Sequence, residues 1–219
     1  MERAILKELS VEEFANTVTH GFGLVLSIAG LAALVILASL RGDPLLIAGC
    51  VVYGLSLVIL YTASTIYHGT SSLELKHKLR LVDHCCIYLL IAGSYTPFGI
   101  ILLSGTLGEG LLALIWTFAV AGIVAKLMFQ QRFPAVSVGS YVVMGWLGVF
   151  AVQPMLETLG PEPVMLAVAG GLSYTLGVVF FAWQRIRHHH AIFHVFVLAG
   201  SILHYIAVVL YVVPYSANL

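Results

Sequence analysis

The stretch HHHAIFHVFVLAGSILHYIAVVLYVV, residues 188–213, holds no Asp, Glu, Lys or Arg. From residue 191 to 213 it is long enough for a helix to cross a bilayer, which takes about 20 mostly apolar residues. Four of the chain's nine histidines crowd into its first seven positions. Working outward, similar runs recur at roughly 21–40, 45–67, 82–103, 109–128, 135–154 and 163–184. These runs are continuous, whereas strands of a barrel would alternate apolar and polar residues over shorter segments. The fourth is the weakest, and Lys126 at its end is expected to snorkel to the interface. The expected fold is therefore all-α: an integral membrane seven-helix bundle forming a single domain over residues 1–219.

Composition agrees. Hydrophobic residues make up 60% of the 219 positions and charged residues 9%, against about 25% charge in a soluble domain. So few charges cannot cover a water-facing surface, so lipid must cover it. The formal net charge is zero, and no basic tract with interleaved aromatics suggests nucleic acid. Cys50, Cys85 and Cys86 imply no disulfide framework. The first twenty residues carry no cleavage-site pattern, so no removable signal peptide is expected. Nine of the ten basic residues (Arg3, Lys7, Lys76, Lys78, Arg80, Lys126, Arg132, Arg185 and Arg187) fall on one side of the seven runs, and only Arg41 falls on the other. The excess of positive charge on cytoplasmic loops predicts a cytoplasmic N-terminus and an extracytoplasmic C-terminus. Ala169, Ser173 and Gly177 make a small-residue stripe that predicts close helix packing. Pro97 and Pro154 lie near the ends of their spans, where a missing backbone donor is tolerated.

This topology delivers distant polar residues to one layer. The second span ends near His68, the third starts near Asp83, and the seventh starts near His190 and His194. His190 and His194 are four apart and share a helix face, an offset at which two imidazoles can chelate one metal. Ser64 and His68 share the same offset. Three histidines with one open position is the arrangement of a catalytic zinc, although imidazoles also suit iron, copper or nickel. Plainer readings stand beside this one. Interfacial histidines can simply be wet, and His188 and His189 are read as wet loop residues. Asp83 can pair with Arg80 or Lys78. Ser64 can bond the carbonyl one turn back.

The same residues resemble a known family. EFANTVTH (13–20) is similar to the E-x-x-N-x-x-[ST]-H motif at the first span of the progestin and adipoQ receptor family. STIYH (64–68), LVDHCCIYLLIAGSYTP (81–97) and HAIFHVFVLAGSILH (190–204) resemble its second-, third- and seventh-span blocks. The short N-terminal arm is most like the bacterial haemolysin III branch. The resemblance implies zinc held by His68, His190 and His194, with Ser64 and Asp83 beside it. The family is grouped with alkaline ceramidases in a proposed superfamily of membrane hydrolases. That implies zinc-dependent hydrolysis of a lipid amide or ester, with membrane lipid as substrate or ligand and a bacterial inner-membrane location. Asp83 is then expected to accept or orient the proton of water, and Ser64 to steady the oxyanion. Glu13 and Asn16 are expected to brace a histidine or cap the first helix, with His20, His84 and His204 as further supports around the ligands. The competing readings are a non-enzymatic lipid or stress homeostasis protein with structural zinc, and a lytic pore.

Overall fold

In a computed structural model, the backbone is described over residues 2–101, 106–130 and 132–215, with side chains from residue 11 onward outside the 101–107 stretch. The last two residues of the expected third span, and the side chains of Arg3 and Lys7, lie outside the described residues. The described chain is helical, with no strand. In order come α1 (Glu2–Arg41), α2 (Pro44–Gly69), α3 (Leu73–Ile101), α4 (Thr106–Phe129), α5 (Pro134–Trp146), a 3₁₀ turn (Leu147–Ala151), α6 (Val152–Leu159), α7 (Pro161–Ala182), α8 (His189–Ala207), a π turn (Val208–Val212) and α9 (Val213–Tyr215). Six helical stretches are long and apolar enough to cross a membrane: Val11–Arg41, Pro44–Gly69, Gly108–Phe129, Pro134–Leu159, Pro161–Ala182 and His189–Tyr215. The chain is thus a multi-pass membrane protein.

The turns follow from local chemistry. Gly42 takes φ +78°, Asp43 Oδ1 accepts from Leu45 N–H at 2.9 Å, and Pro44 opens α2. Asp43 thereby satisfies one of the donors a helix start leaves bare, and proline costs nothing at that position. Gly160, at φ +84°, precedes Pro161 at the start of α7 in the same way. Pro154 falls in the first turn of α6. Pro97 instead lies inside α3. There its ring is buried against Gly49 of α2, where a side chain could not fit without displacing the proline backbone.

Neighbouring helices pack in order: α1 on α2, α2 on α3, α3 on α4, α4 on α5, α5 on α7 and α7 on α8. The ring closes where α8 meets α1. α2 is the most buried member. Small residues bring backbones close: Gly23 faces the Tyr61 ring, Gly54 faces Leu31, and Gly93 faces Ser56. On α7 two of the three expected stripe residues, Ser173 and Gly177, are buried, and one differs. Ala169 is exposed, and Gly170, Ser173 and Gly177 form the buried stripe against α8. Spacings of three and four keep these residues on one face of a 3.6-residue helix. Ser173 Oγ donates to Phe196 O at 2.8 Å.

The expected fifth span is broken. The 3₁₀ turn separates α5 from α6, and Tyr95 of α3 fastens the break by donating to Gly145 O and accepting from Gly148 N–H at 2.7 Å. Lys126 also departs from expectation. It does not snorkel: it is 3% exposed, and its Nζ donates to Ser137 Oγ of α5 at 3.1 Å. All three cysteines are free.

Candidate metal centre

His68 stands on the last turn of α2, and His190 and His194 on the first turns of α8. A left-handed His188, φ +56°, turns the chain into α8 immediately before them. The three rings lie mutually edge to face. Their centroids are 5.0 Å apart for His68–His190, 4.9 Å for His68–His194 and 4.6 Å for His190–His194. One nitrogen from each lies within 4.8 Å of the other two, so the group could hold a metal ion.

The hydrogen bonds orient the rings for that task. His68 Nδ1 is 2.8 Å from Glu13 Oε2. A carboxylate accepts, so Nδ1 carries the proton and Nε2 presents its lone pair. That Nε2 is buried and has no hydrogen-bond partner. His194 Nδ1 lies 3.3 Å from Asn16 O and 3.2 Å from Thr19 Oγ1. Thr19 Oγ1 donates its own proton to the carbonyls of Ala15 and Asn16, so it accepts from His194. The Nδ1–H is fixed there as well, and Nε2 is the free atom. A carboxylate or carbonyl behind the imidazole is how metal-ligating histidines are generally held. A bare buried lone pair is costly unless something occupies it. The donor set and the unpartnered nitrogen therefore fit a metal bound by imidazoles.

Other expected residues divide into those brought to the cluster and those that are not. Asn16 acts through its backbone carbonyl; its Oδ1 is buried without a partner. Neither Glu13 nor Asn16 caps a helix, because α1 runs unbroken through both. His20 stacks face to face on His194 at 3.4 Å and meets the Tyr61 ring edge-on, and both its nitrogens are buried and unpartnered. Ser64 and Asp83 are buried and line the same cavity as His190 and His194. Ser64 does not bond back along its helix. Its Oγ neighbours the Asp83 carboxylate but makes no hydrogen bond of good geometry. Lys78 pairs with Glu74, one turn back, at 2.9 Å rather than with Asp83. His84 keeps a buried, unpartnered Nδ1 and lines the same cavity. His204 also lines this cavity but is not part of the cluster: its Nε2–H donates to Ala167 O of α7 at 3.0 Å. His188 and His189 are half-buried rather than wet, and His189 Nε2 lies 3.8 Å from Glu12 Oε1.

Two contributors went unassigned in the sequence. Thr19 stands at the [ST] position of the first-span motif, and that membership was the available signal. Lys76 Nζ lies 2.9 Å from Glu13 Oε2, a cross-helix pairing with no signature along the chain. The cavity measures about 350 Å³. Its polar end holds Ser64, Asp83, His190 and His194, and its remaining wall is mostly apolar, with Ile87, Leu90, Phe98 and Val197 among its lining.

Comparison with known proteins agrees with these motifs. Residues 10–205 match the family described as haemolysin-III related. The chain is 44% identical over 203 residues to Hemolysin-3 of Bacillus cereus, covering 93% of each. It is 43% identical over 202 residues to a Hemolysin-3 homolog of Bacillus subtilis (strain 168), covering 92% of this chain and 95% of that one. It is also 33% identical over 210 residues to human monocyte to macrophage differentiation factor, a member of the progestin and adipoQ receptor family, covering 92% and 85%. A near full-length match, extending well beyond the four motif blocks that carry the histidine cluster, makes this chain a member of the haemolysin-III-related branch of that family.

Proposed function

We propose that the protein is a zinc-dependent hydrolase of lipid amide or ester bonds, with seven membrane spans and a cytoplasmic N-terminus. The span added to the six is the third in chain order, the part of α3 beyond Asp83, whose preceding turns carry Glu74, Lys76, Lys78 and Arg80. One observation carries the reading. Three clustered histidines, one of them (His68) with a buried, unpartnered Nε2, include two (His190 and His194) that line a mostly apolar cavity also holding a buried carboxylate and a buried hydroxyl.

His68, His190 and His194 would hold the ion, with Glu13, Thr19 and the Asn16 carbonyl keeping two of the rings in the right tautomer. A bound zinc supplies Lewis acidity and lowers the pKa of water towards about 7. Asp83, the buried carboxylate of this cavity, would take the proton from attacking water and return it to the leaving amine or alcohol. The Ser64 hydroxyl, free of any intrahelical bond, can donate to the oxygen on which negative charge develops. The apolar wall receives the acyl chain and excludes water from the reacting end.

The test is metal analysis of purified protein beside His68→Ala and His194→Ala, followed by incubation with ceramide, phospholipid and acyl-amide substrates. The expected result is about one zinc per chain, lost in both variants, with fatty acid release that disappears in Asp83→Asn while zinc stays. Protein purified without metal ends the proposal. A second reading takes the ion as a structural clamp, because the ligands and their supports tie α1, α2 and α8 together. Metal present with no turnover of any lipid selects it. A lytic role, suggested by the relatives' name Hemolysin-3, has less behind it because most of the cavity wall is apolar. A flat conductance trace from loaded liposomes removes it.

A further inference from the structure

Lys126 is a buried ammonium near the end of a membrane helix, and such a group generally marks a functional pathway or site. Among the described residues its only hydrogen-bond partner is the neutral Ser137 hydroxyl, so two of its three N–H donors are unsatisfied. It lines the cavity of the metal centre and also a second, smaller groove of about 260 Å³ between α3, α4 and α5. Arg80, exposed on α3, lines the same cavity at its open end. Both cations lie within electrostatic reach of His84, whose Nδ1 is buried and unpartnered in the same wall. Asp83 is the one carboxylate among the described residues that line this cavity, and the proposed chemistry already uses it. Two cations and an unpartnered imidazole nitrogen therefore line a cavity that offers them, besides the Ser137 hydroxyl, one carboxylate. A buried ammonium needs a counter-charge or further acceptors.

We propose that Lys126, with Arg80 at the cavity mouth, forms a headgroup subsite for an acyl lipid that carries an oxyanion, phosphate or carboxylate. This deepens the lipid reading above and rests on the acyl chain lying in the apolar cavity. Lys126 supplies an inward point charge from α4, Arg80 a planar fork at the surface, and His84 a neutral hydrogen-bonding nitrogen between them. The subsite would hold the charged end of the lipid at the polar end of the cavity, beside the histidine cluster.

The test measures equilibrium binding of three single-chain lipids to the full-length protein in neutral detergent: palmitate, palmitoyl lysophosphatidate and monopalmitoylglycerol. Inorganic phosphate is the chain-free probe. The expected result is that at least one anionic lipid binds roughly tenfold or more tightly than the neutral glycerol ester, the scale of one charge-assisted hydrogen bond. Inorganic phosphate alone should bind far more weakly than either. The anion that leads identifies the oxyanion as carboxylate or phosphate. Lys126→Gln should abolish the preference without weakening the neutral lipid, and Lys126→Arg should restore it. If Lys126→Gln does not fold, exposed Arg80→Gln carries the test and should reduce the preference part-way. Equal binding of all three lipids, or a preference that survives both variants, overturns the subsite. Inorganic phosphate binding as tightly as the lipids overturns the lipid assignment. Metal content and turnover are read in the same samples. Selective binding without turnover removes the hydrolase and keeps the subsite. Turnover that is indifferent to lipid charge removes the subsite alone.

Discussion

The two ends of α8 carry the same residue type to opposite effect. His194, near the start, is almost wholly buried and held by its Nδ1, which leaves Nε2 among two other imidazoles. His204, ten residues on and so about 15 Å along the axis, gives its Nε2–H to the Ala167 carbonyl and packs where Gly170 leaves room. One imidazole is prepared for a guest. The other is a strut between two helices. His204 is half-buried where His194 is almost wholly so, but the distinguishing mark is which nitrogen the protein has already used.

That contrast can be broken or sharpened in four ways. The largest effect is expected from His194→Ala, which should reduce bound metal from about one per chain to near zero, measured by elemental analysis. Metal retained at the wild-type level would place the ion elsewhere. Next, Asp83→Asn should lower lipid turnover by about 10²–10⁴-fold, the usual share of a positioned acid–base group, with metal unchanged; unaltered turnover removes the proton role. Glu13→Gln should weaken metal affinity by about 10–100-fold, the range for partners behind a ligating histidine, read by competition with a chelator. An unchanged affinity would mean that the His68 tautomer does not depend on that carboxylate. The smallest is His204→Ala, expected to leave metal content untouched and to cost about 1–3 kcal/mol in thermal or denaturant unfolding, since a buried carbonyl loses its partner. Metal loss in that variant would erase the difference between strut and site.

Much of the architecture was legible because lipid imposes long apolar runs that nothing else in a chain imitates. The histidine cluster was legible too, since an offset of four on one helix and alternating span direction suffice to bring His68 to His190 and His194. What escaped depends on contacts across helices. Whether Lys126 points out to water or in to Ser137 is a choice of rotamer and neighbour, and the sequence is compatible with both. Gly170 rather than Ala169 completes the stripe with Ser173 and Gly177, because His204 and Gly200 press against α7 at that position. The break between α5 and α6 is held by Tyr95, fifty residues earlier, whose hydroxyl bonds Gly145. Thr19 and Lys76 act on histidines from other helices, and no spacing along the chain announces such a pair.

The closure of α8 onto α1 has a consequence for biogenesis. The supports behind His194 are made within the first twenty residues, and the imidazole they hold emerges 175 positions after Thr19. The earliest helix must therefore wait in the bilayer, its carbonyl at Asn16 and hydroxyl at Thr19 without their final partner, until translation has nearly finished. If the three histidines hold an ion, its capture would be the last step of maturation, because a nascent chain stalled anywhere before α8 would lack His190 and His194.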